Sequence, residues 1–94
     1  MGITPLHLAA TFGQLKALKM FLKESIDKNP ASFLDKKTPF HFAAEYGMLD
    51  VVEYLADILP PNQLNAKSSS GESASDYARK NGHNKVVSFL KAII

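Results

Sequence analysis

The sequence predicts an all-α fold, a solenoid of stacked helix-turn-helix units. The segment from Thr38 to Leu55 has one counterpart that begins 34 residues earlier, at Thr4, and another that begins 35 residues later, at Ser73. Repetition at a period of this length is typical of solenoids, in which each unit buries its apolar face against its neighbour. Each copy also has one glycine between two short stretches of helical apolar spacing. These glycines are Gly13, Gly47 and Gly82.

The first unit begins with Thr4, a residue type that caps helix N-termini, followed by Pro5 at the first helical position. The spacing predicts a short helix to about Phe12. Gly13 then ends that helix, because the residue just past a helix end often needs a positive φ. A second helix is expected from about Leu15 to Lys23. Its apolar stripe consists of Ala17, Leu18, Phe21 and Leu22.

The second unit repeats this arrangement, with Thr38, Pro39 and Gly47 in the same positions. Its outer helix has the stripe Val51, Val52, Leu55 and Ala56, and we expect Pro60-Pro61 to end that helix.

The third unit begins with Ser73 and Asp76, whose spacing is that of a capping box in which each side chain satisfies the other residue's backbone N–H. After Gly82, an outer helix is predicted from Val86, Val87 and Leu90.

The first two copies resemble the ankyrin repeat, whose signature is Thr-Pro-Leu-His-x-Ala-Ala followed by glycine and paired aliphatic residues. The corresponding stretches are Thr4-Pro5-Leu6-His7-Leu8-Ala9-Ala10 and Thr38-Pro39-Phe40-His41-Phe42-Ala43-Ala44. The resemblance covers nearly the whole chain and is looser in the third copy. It implies a single ankyrin-repeat domain over residues 1–94, with repeats at about 2–34, 35–68 and 69–94.

The resemblance also implies β-hairpin-like finger loops that project between the units. In the second finger, residues 65–72, Gly71 supplies the turn. The first finger, residues 29–37, has Lys36 where that glycine would be, which leaves its turn type open.

The two ends of the chain differ. Unit three has Ser75, Arg79 and Lys91 where the other units have apolar or small residues, as expected of a terminal capping repeat with a polar outer face. Unit one has no such change. Leu6, Leu8 and Leu18 are therefore expected to present interior-type surface to whatever precedes them. We hypothesise that the chain is the last part of a longer array or that it self-associates through this face.

Composition excludes several classes of function. The absence of cysteine among 94 residues rules out disulfides and thiolate metal sites and favours an intracellular, cytoplasmic protein. No apolar run approaches the ~20 residues that span a bilayer. The net charge of +2 is not arranged as a basic stripe, so nucleic-acid binding is not expected. The scattered glycines form no phosphate loop, and no cofactor is predicted.

Two candidate chemical sites have structural explanations. His7 and His41 occupy the same motif position and could suggest a metal site or a general base. Equivalent residues of adjacent helices lie ~10 Å apart, too far to share an ion at ~2 Å. The resemblance implies instead that each imidazole bonds its own repeat's threonine and the adjacent finger backbone.

Ser73, Asp76 and His83 have the residue types of a catalytic triad, but the capping box already explains Ser73 and Asp76. No catalytic or metal residue is predicted.

The resemblance implies that finger tips and the exposed side of each first helix form a concave surface that binds another protein. These positions are Ile3, Thr11, Phe12, Leu34, Asp35, Lys37, Glu45, Tyr46, Ser69, Ser70, Glu72, Lys80 and Asn81. Phe12 and Tyr46 are equivalent aromatics, and aromatics are favoured as interface anchors. Alternatively, they close the junction between the helices beneath the fingers.

The predicted function is therefore non-catalytic protein–protein interaction. The alternative is a structural spacer or terminal cap of a longer array in a multidomain protein whose activity lies elsewhere. An enzyme whose catalytic domain lies outside these residues stays open as a third class.

Overall fold

Paired antiparallel helices form each of the three predicted units. The computed structural model of the chain describes residues 2–24, 29–32 and 35–93. The helices are α1 (Pro5–Thr11), α2 (Leu15–Glu24), α3 (Pro39–Glu45), α4 (Leu49–Ile58), α5 (Pro61–Leu64), α6 (Ala74–Lys80) and α7 (Asn84–Ile93). Within the described ranges there is no strand. The all-α solenoid is confirmed, with α1–α2, α3–α4 and α6–α7 as its hairpins.

Side-chain caps set the start of each inner helix, α1, α3 and α6. The hydroxyl groups of Thr4, Thr38 and Ser73 each accept a hydrogen bond from the backbone N–H three residues later. These bonds satisfy one of the N–H groups that a helix start leaves without a partner. The predicted N-caps and the Ser73–Asp76 capping box are confirmed.

The predicted end of the outer helix at Pro60-Pro61 is also confirmed, because α4 ends at Ile58 and Pro61 begins the four-residue helix α5.

The glycine after each inner helix serves both the turn and the stacking of units. Gly13, Gly47 and Gly82 have φ values of 67°, 70° and 72°. A Cβ on Gly13 would lie 2.7 Å from the sulfur of Met48, and one on Gly47 would lie 2.5 Å from Nδ1 of His83. Each following unit thus places a side chain against the glycine of the unit before it.

The core runs through all three units. The inner helices pack side by side through small residues that are fully buried, which lets their backbones approach closely. These residues are Ala10, Ala43, Ala44 and Ala78. Larger side chains fill the space between inner and outer helices: Leu18, Phe40, Val51, Val52, Leu55, Val86 and Leu90.

The two fingers are joined by a hydrogen bond in which the Ser69 N–H donates to the Asp35 carbonyl at 2.7 Å. Lys36 adopts a left-handed φ of 52°, so it takes the conformation that Gly71 takes at 81° in the second finger. The Ser32 N–H donates to the Lys37 carbonyl at 3.0 Å, and the Ser68 N–H donates to the Glu72 carbonyl at 2.9 Å. The turn that the sequence left open is therefore of the same hand in both fingers.

The structure corrects part of the prediction for unit one. Leu6 and Leu18 are buried in the core that unit one shares with unit two, so the expectation that they face outward is wrong. Leu8 is exposed, and so is Phe21 from the predicted α2 stripe. At the other end Arg79 and Lys91 are exposed and Ser75 is half-buried, which agrees with the predicted polar outer face.

The glycine contacts give a testable difference between Gly47 and Gly82. Gly82→Ala should destabilise the fold by about 1–2 kcal/mol, because alanine is strained at positive φ although there is space for its Cβ. Gly47→Ala should cost about 1–3 kcal/mol more, because its Cβ must also displace the His83 ring. Urea denaturation of both variants measures this difference. Equal losses of stability would show that the contact with His83 contributes nothing.

Candidate functional site

His7 and His41 are fully engaged in holding units together. The backbone N–H of Thr4 donates to Nδ1 of His7 at 3.0 Å, and Nε2 of His7 lies 2.8 Å from the Lys37 carbonyl in the first finger. In unit two, the Thr38 N–H donates to Nδ1 of His41, and Nε2 lies 2.9 Å from the Ala66 carbonyl. Because Nδ1 accepts, Nε2 carries the proton and donates to the finger. The predicted bonds to threonine and to the finger backbone are confirmed.

Burial controls the ionisation of both imidazoles. It lowers the pKa of His7 from its ordinary 6.5, against the opposing effect of the Lys37 carbonyl. Burial also lowers the pKa of His41, and the positive charge of Lys37 adds to this effect, while the Ala66 carbonyl opposes it. The neutral rings therefore persist in the folded protein at pH values at which a free histidine begins to protonate.

His83, the third residue of the candidate triad, contacts residues of unit two. Its Nε2 is 2.9 Å from the carbonyl of Glu45, and its ring covers Gly47. The Ser73 hydroxyl and the Asp76 carboxylate are occupied by the capping box. The histidine therefore joins unit three to unit two, and the three residues are accounted for by packing and capping. In the described part of the chain, no group of three or more histidine, aspartate or glutamate residues could hold a metal ion.

Most of the predicted surface positions are accessible. Ile3, Phe12, Asp35, Tyr46, Ser69, Ser70, Lys80 and Asn81 are exposed, whereas Thr11, Lys37, Glu45 and Glu72 are half-buried. Leu34 lies outside the described residues.

Four of the five charged positions of this surface form two ion pairs. The ammonium group of Lys37 in the first finger pairs with the carboxylate of Glu45 at the end of α3. In unit three the signs are reversed, with Glu72 in the finger 2.9 Å from Lys80 at the end of α6. The hydrogen bond from Lys80 lowers the pKa of Glu72 and raises that of Lys80. Both pairs span eight residues, so each one ties a finger to its own inner helix.

Two aromatic residues that the sequence analysis did not select lie beside Lys37, and one of them, Tyr77, is buried. The Lys37 ammonium lies 4.5 Å from the ring centre of Phe42 and 4.6 Å from that of Tyr77. Phe42 meets the edge of His7, and Tyr77 meets that of His41, each ring one unit further along the stack. Both aromatics follow the motif position of histidine directly. Comparing that next position across the copies would have identified them.

Phe12 and Tyr46 remain exposed at the edge of this surface. Each is the C-cap residue of its inner helix, and their exposed fractions are 67% and 49%. Exposure of this size contradicts the alternative in which they close the junction beneath the fingers. Among the described positions of the predicted surface, they and Ile3 are the large apolar side chains that are exposed.

The low histidine pKa values predict that stability falls at acid pH. The unfolded chain takes up protons as the pH drops below about 6.5, whereas the folded rings resist protonation. The stabilisation is complete above that pH and declines towards the lower folded-state pKa values. The loss should approach at most ~1.4 kcal/mol per pH unit for each histidine. Urea titrations between pH 7.5 and 5.5 measure it. The slope should decrease in His7→Gln, and an unchanged slope would contradict this origin.

The two finger–helix ion pairs predict unequal mutational effects. Lys37→Met should destabilise the fold by about 1–3 kcal/mol, because the Lys37 side chain is only 11% exposed and its loss leaves the partly buried Glu45 without its cation. Lys80→Met is the matched control and should change stability little, because its side chain is 63% exposed. Thermal denaturation of both variants tests this order, and a larger effect for Lys80→Met would refute it.

Known proteins share this architecture. A family model of ankyrin repeats matches residues 6–93 with three copies. The human transient receptor potential cation channel subfamily A member 1 is 38% identical over 90 residues, which cover 95% of this chain and 8% of the channel. Alpha-latrotoxin-Lhe1a of Latrodectus hesperus is 36% identical over 89 residues, covering 95% of the chain and 6% of the toxin. Alpha-latrotoxin-Lt1a of Latrodectus tredecimguttatus is 26% identical over 92 residues, 98% of the chain and 6% of the toxin.

The chain thus spans less than a tenth of the length of these relatives. Among the residues described, no helix has the length and apolar character needed to cross a bilayer. Ankyrin repeats generally mediate protein–protein interaction and are generally non-catalytic. The family match over residues 6–93, together with the three capped hairpins that turn at glycine, shows that the chain belongs to the ankyrin-repeat family.

Proposed function

We propose that this chain is a non-catalytic module that binds another protein through its concave surface, with Phe12 and Tyr46 as the anchoring side chains. The observation that carries the proposal is the exposure of two equivalent aromatics on adjacent units. Exposed aromatic side chains supply much of the binding energy of protein interfaces, at roughly 2 kcal/mol or more for each anchor.

The charge pattern of the same surface supports an apolar mode of recognition. The Lys37–Glu45 and Glu72–Lys80 pairs each combine a positive and a negative group, so their charges cancel locally. A partner that relied on a single charged patch would have to break one of these pairs. A partner with an apolar ridge that contacts Phe12 and Tyr46 leaves both pairs intact. We place the module inside the cell, in keeping with its lack of cysteine.

The second candidate function is a structural spacer or terminal cap within a longer ankyrin array whose activity lies elsewhere. It is favoured by the small share of the relatives that this chain covers and by the polar residues Arg79 and Lys91 on unit three. The two functions differ in what Phe12 and Tyr46 do. A spacer needs neither side chain exposed.

The test is a pull-down with the 94-residue chain followed by mass spectrometry, comparing the parent with the double variant Phe12→Ala/Tyr46→Ala. The double variant should lose the proteins that the parent retains and keep the parent's urea midpoint, because exposed side chains contribute little to folding stability.

Met20→Ala is the matched control. Met20 lies on the outer helix α2 and is 66% exposed, almost the same as Phe12, but it is not one of the predicted surface positions. This variant should retain all partners. If the double variant also retains them, the concave surface is not the binding site and the spacer function is favoured.

A further inference from the structure

One side of each unit faces the unit before it, and its residues can be followed through the stack. In unit two the residues at this side are Phe42, Ala43, Met48, Val51 and Leu55. Phe42 lies against His7 at 5.4 Å between ring centres, and Met48 covers Gly13. Ala43, Val51 and Leu55 are fully buried.

Unit three repeats the same contacts. Tyr77 lies against His41 at 5.7 Å, and His83 covers Gly47. Ala78, Val86 and Leu90 are buried. In units two and three, these positions therefore form the face that contacts the preceding unit. In both units that face is covered.

In unit one the same positions form an open groove of about 260 Å³ that is lined mainly by apolar side chains. Its lining includes Pro5, Leu8, Ala9, Gln14, Ala17 and Phe21, which we call the open face. Leu8 is 52% exposed and Phe21 is 39% exposed, whereas Leu55 and Leu90, the equivalents of Phe21, are completely buried. Phe12 also borders the groove, but its equivalent Tyr46 remains exposed within the stack, so burial by stacking concerns the other residues.

We propose that the open face binds a further ankyrin repeat that precedes this chain in the same polypeptide. The contacts seen twice in the stack define what that repeat must present. A histidine would lie beneath Leu8, as His7 lies against Phe42 and His41 against Tyr77. A glycine in its turn would lie against Gln14, as Gly13 lies against Met48.

The conformation of Gly2 supports this occupant. Its φ of 76° matches those of Lys36 and Gly71, the turn residues of the two fingers. Gly2 lies two residues before the capping Thr4, as Lys36 lies two residues before Thr38 and Gly71 two before Ser73.

A second copy of the chain stacked head to tail is a poor match for the open face. Its exposed end would present Ser75, Arg79 and Lys91 in place of the buried Leu6, Ala10 and Leu22. Burying a guanidinium group against Leu8 and Ala9 would remove it from water without a partner, which is costly. Head-to-tail stacking of two copies would therefore bury the polar face of unit three against the apolar open face of unit one.

The test extends the full chain by one unit. A copy of residues 1–34 is placed before residue 1, so that the added copy has the 34-residue spacing of units one and two. The control carries the same extension with Leu6→Ser and Ala10→Arg in the added copy, which reproduces Ser75 and Arg79 of unit three. Thermal unfolding and amide hydrogen exchange of α1 and α2 in the original unit one are measured in all three proteins.

The extended protein should unfold in one transition with a Tm at least ~5 °C above that of the parent. The α1 and α2 amides should exchange at least ~10-fold more slowly, because stacking couples their opening to that of the added unit. The control should match the parent. An extended protein with the Tm and exchange rates of the parent would overturn the proposal. So would a concentration-dependent dimer of the 94-residue chain that Phe21→Glu abolishes, since a second copy would then occupy the open face.

Discussion

The close contact between each unit and the glycine of the unit before it is the constraint on which the rest of the stack depends. Gly13 and Gly47 need positive φ to turn the chain, and the same missing side chain admits Met48 and His83. Glycine at these positions thus determines both the turn of the chain and the distance between stacked units. Once the units are set at this distance, the alanines of neighbouring inner helices can meet and the histidine rings can reach the next finger.

The histidines show how a single motif residue serves two levels of structure. Nδ1 of His7 accepts the Thr4 N–H within its own cap, and Nε2 donates to the following finger at Lys37. The ring must be neutral to do both, and burial keeps it so. A catalytic or metal-binding role would require one of these nitrogens to be released, at the expense of either the helix cap or the contact between units. The motif therefore argues for stability rather than chemistry.

The sequence predicted the features that repeat and missed those that depend on neighbours. Caps, glycine turns, helix order and histidine bonds all follow from the motif, because each is repeated at a fixed position in successive copies. The burial of Leu6 and Leu18 and the exposure of Phe21 did not follow, because an apolar stripe does not say which of its sides a neighbour covers. The Lys37–Glu45 pair was also missed, since its residues are eight apart and meet only after the finger folds back over α3.

The candidate surface was predicted as a set of positions, and the structure divides that set by its interactions. Lys37, Glu45 and Glu72 are drawn into pairs that hold the fingers, and Ser70 donates to Glu72 at 2.8 Å. These side chains shape the surface more than they extend from it. Phe12 and Tyr46 differ from these residues, because each is the C-cap residue of its helix and its side chain is largely exposed.

Comparing equivalent positions in the stack separates two reasons for apolar exposure. Tyr46 stays exposed although its unit has a neighbour on either side, so exposure at that position is a property of the fold and is available to a partner. Phe21 of unit one is exposed, whereas its equivalents Leu55 and Leu90, in units that have another unit before them, are fully buried. A partner surface recurs in every unit, whereas a stacking surface is open only where the stack has no neighbour. The proposed partner surface and the proposed stacking surface thus lie on adjoining sides of the first unit.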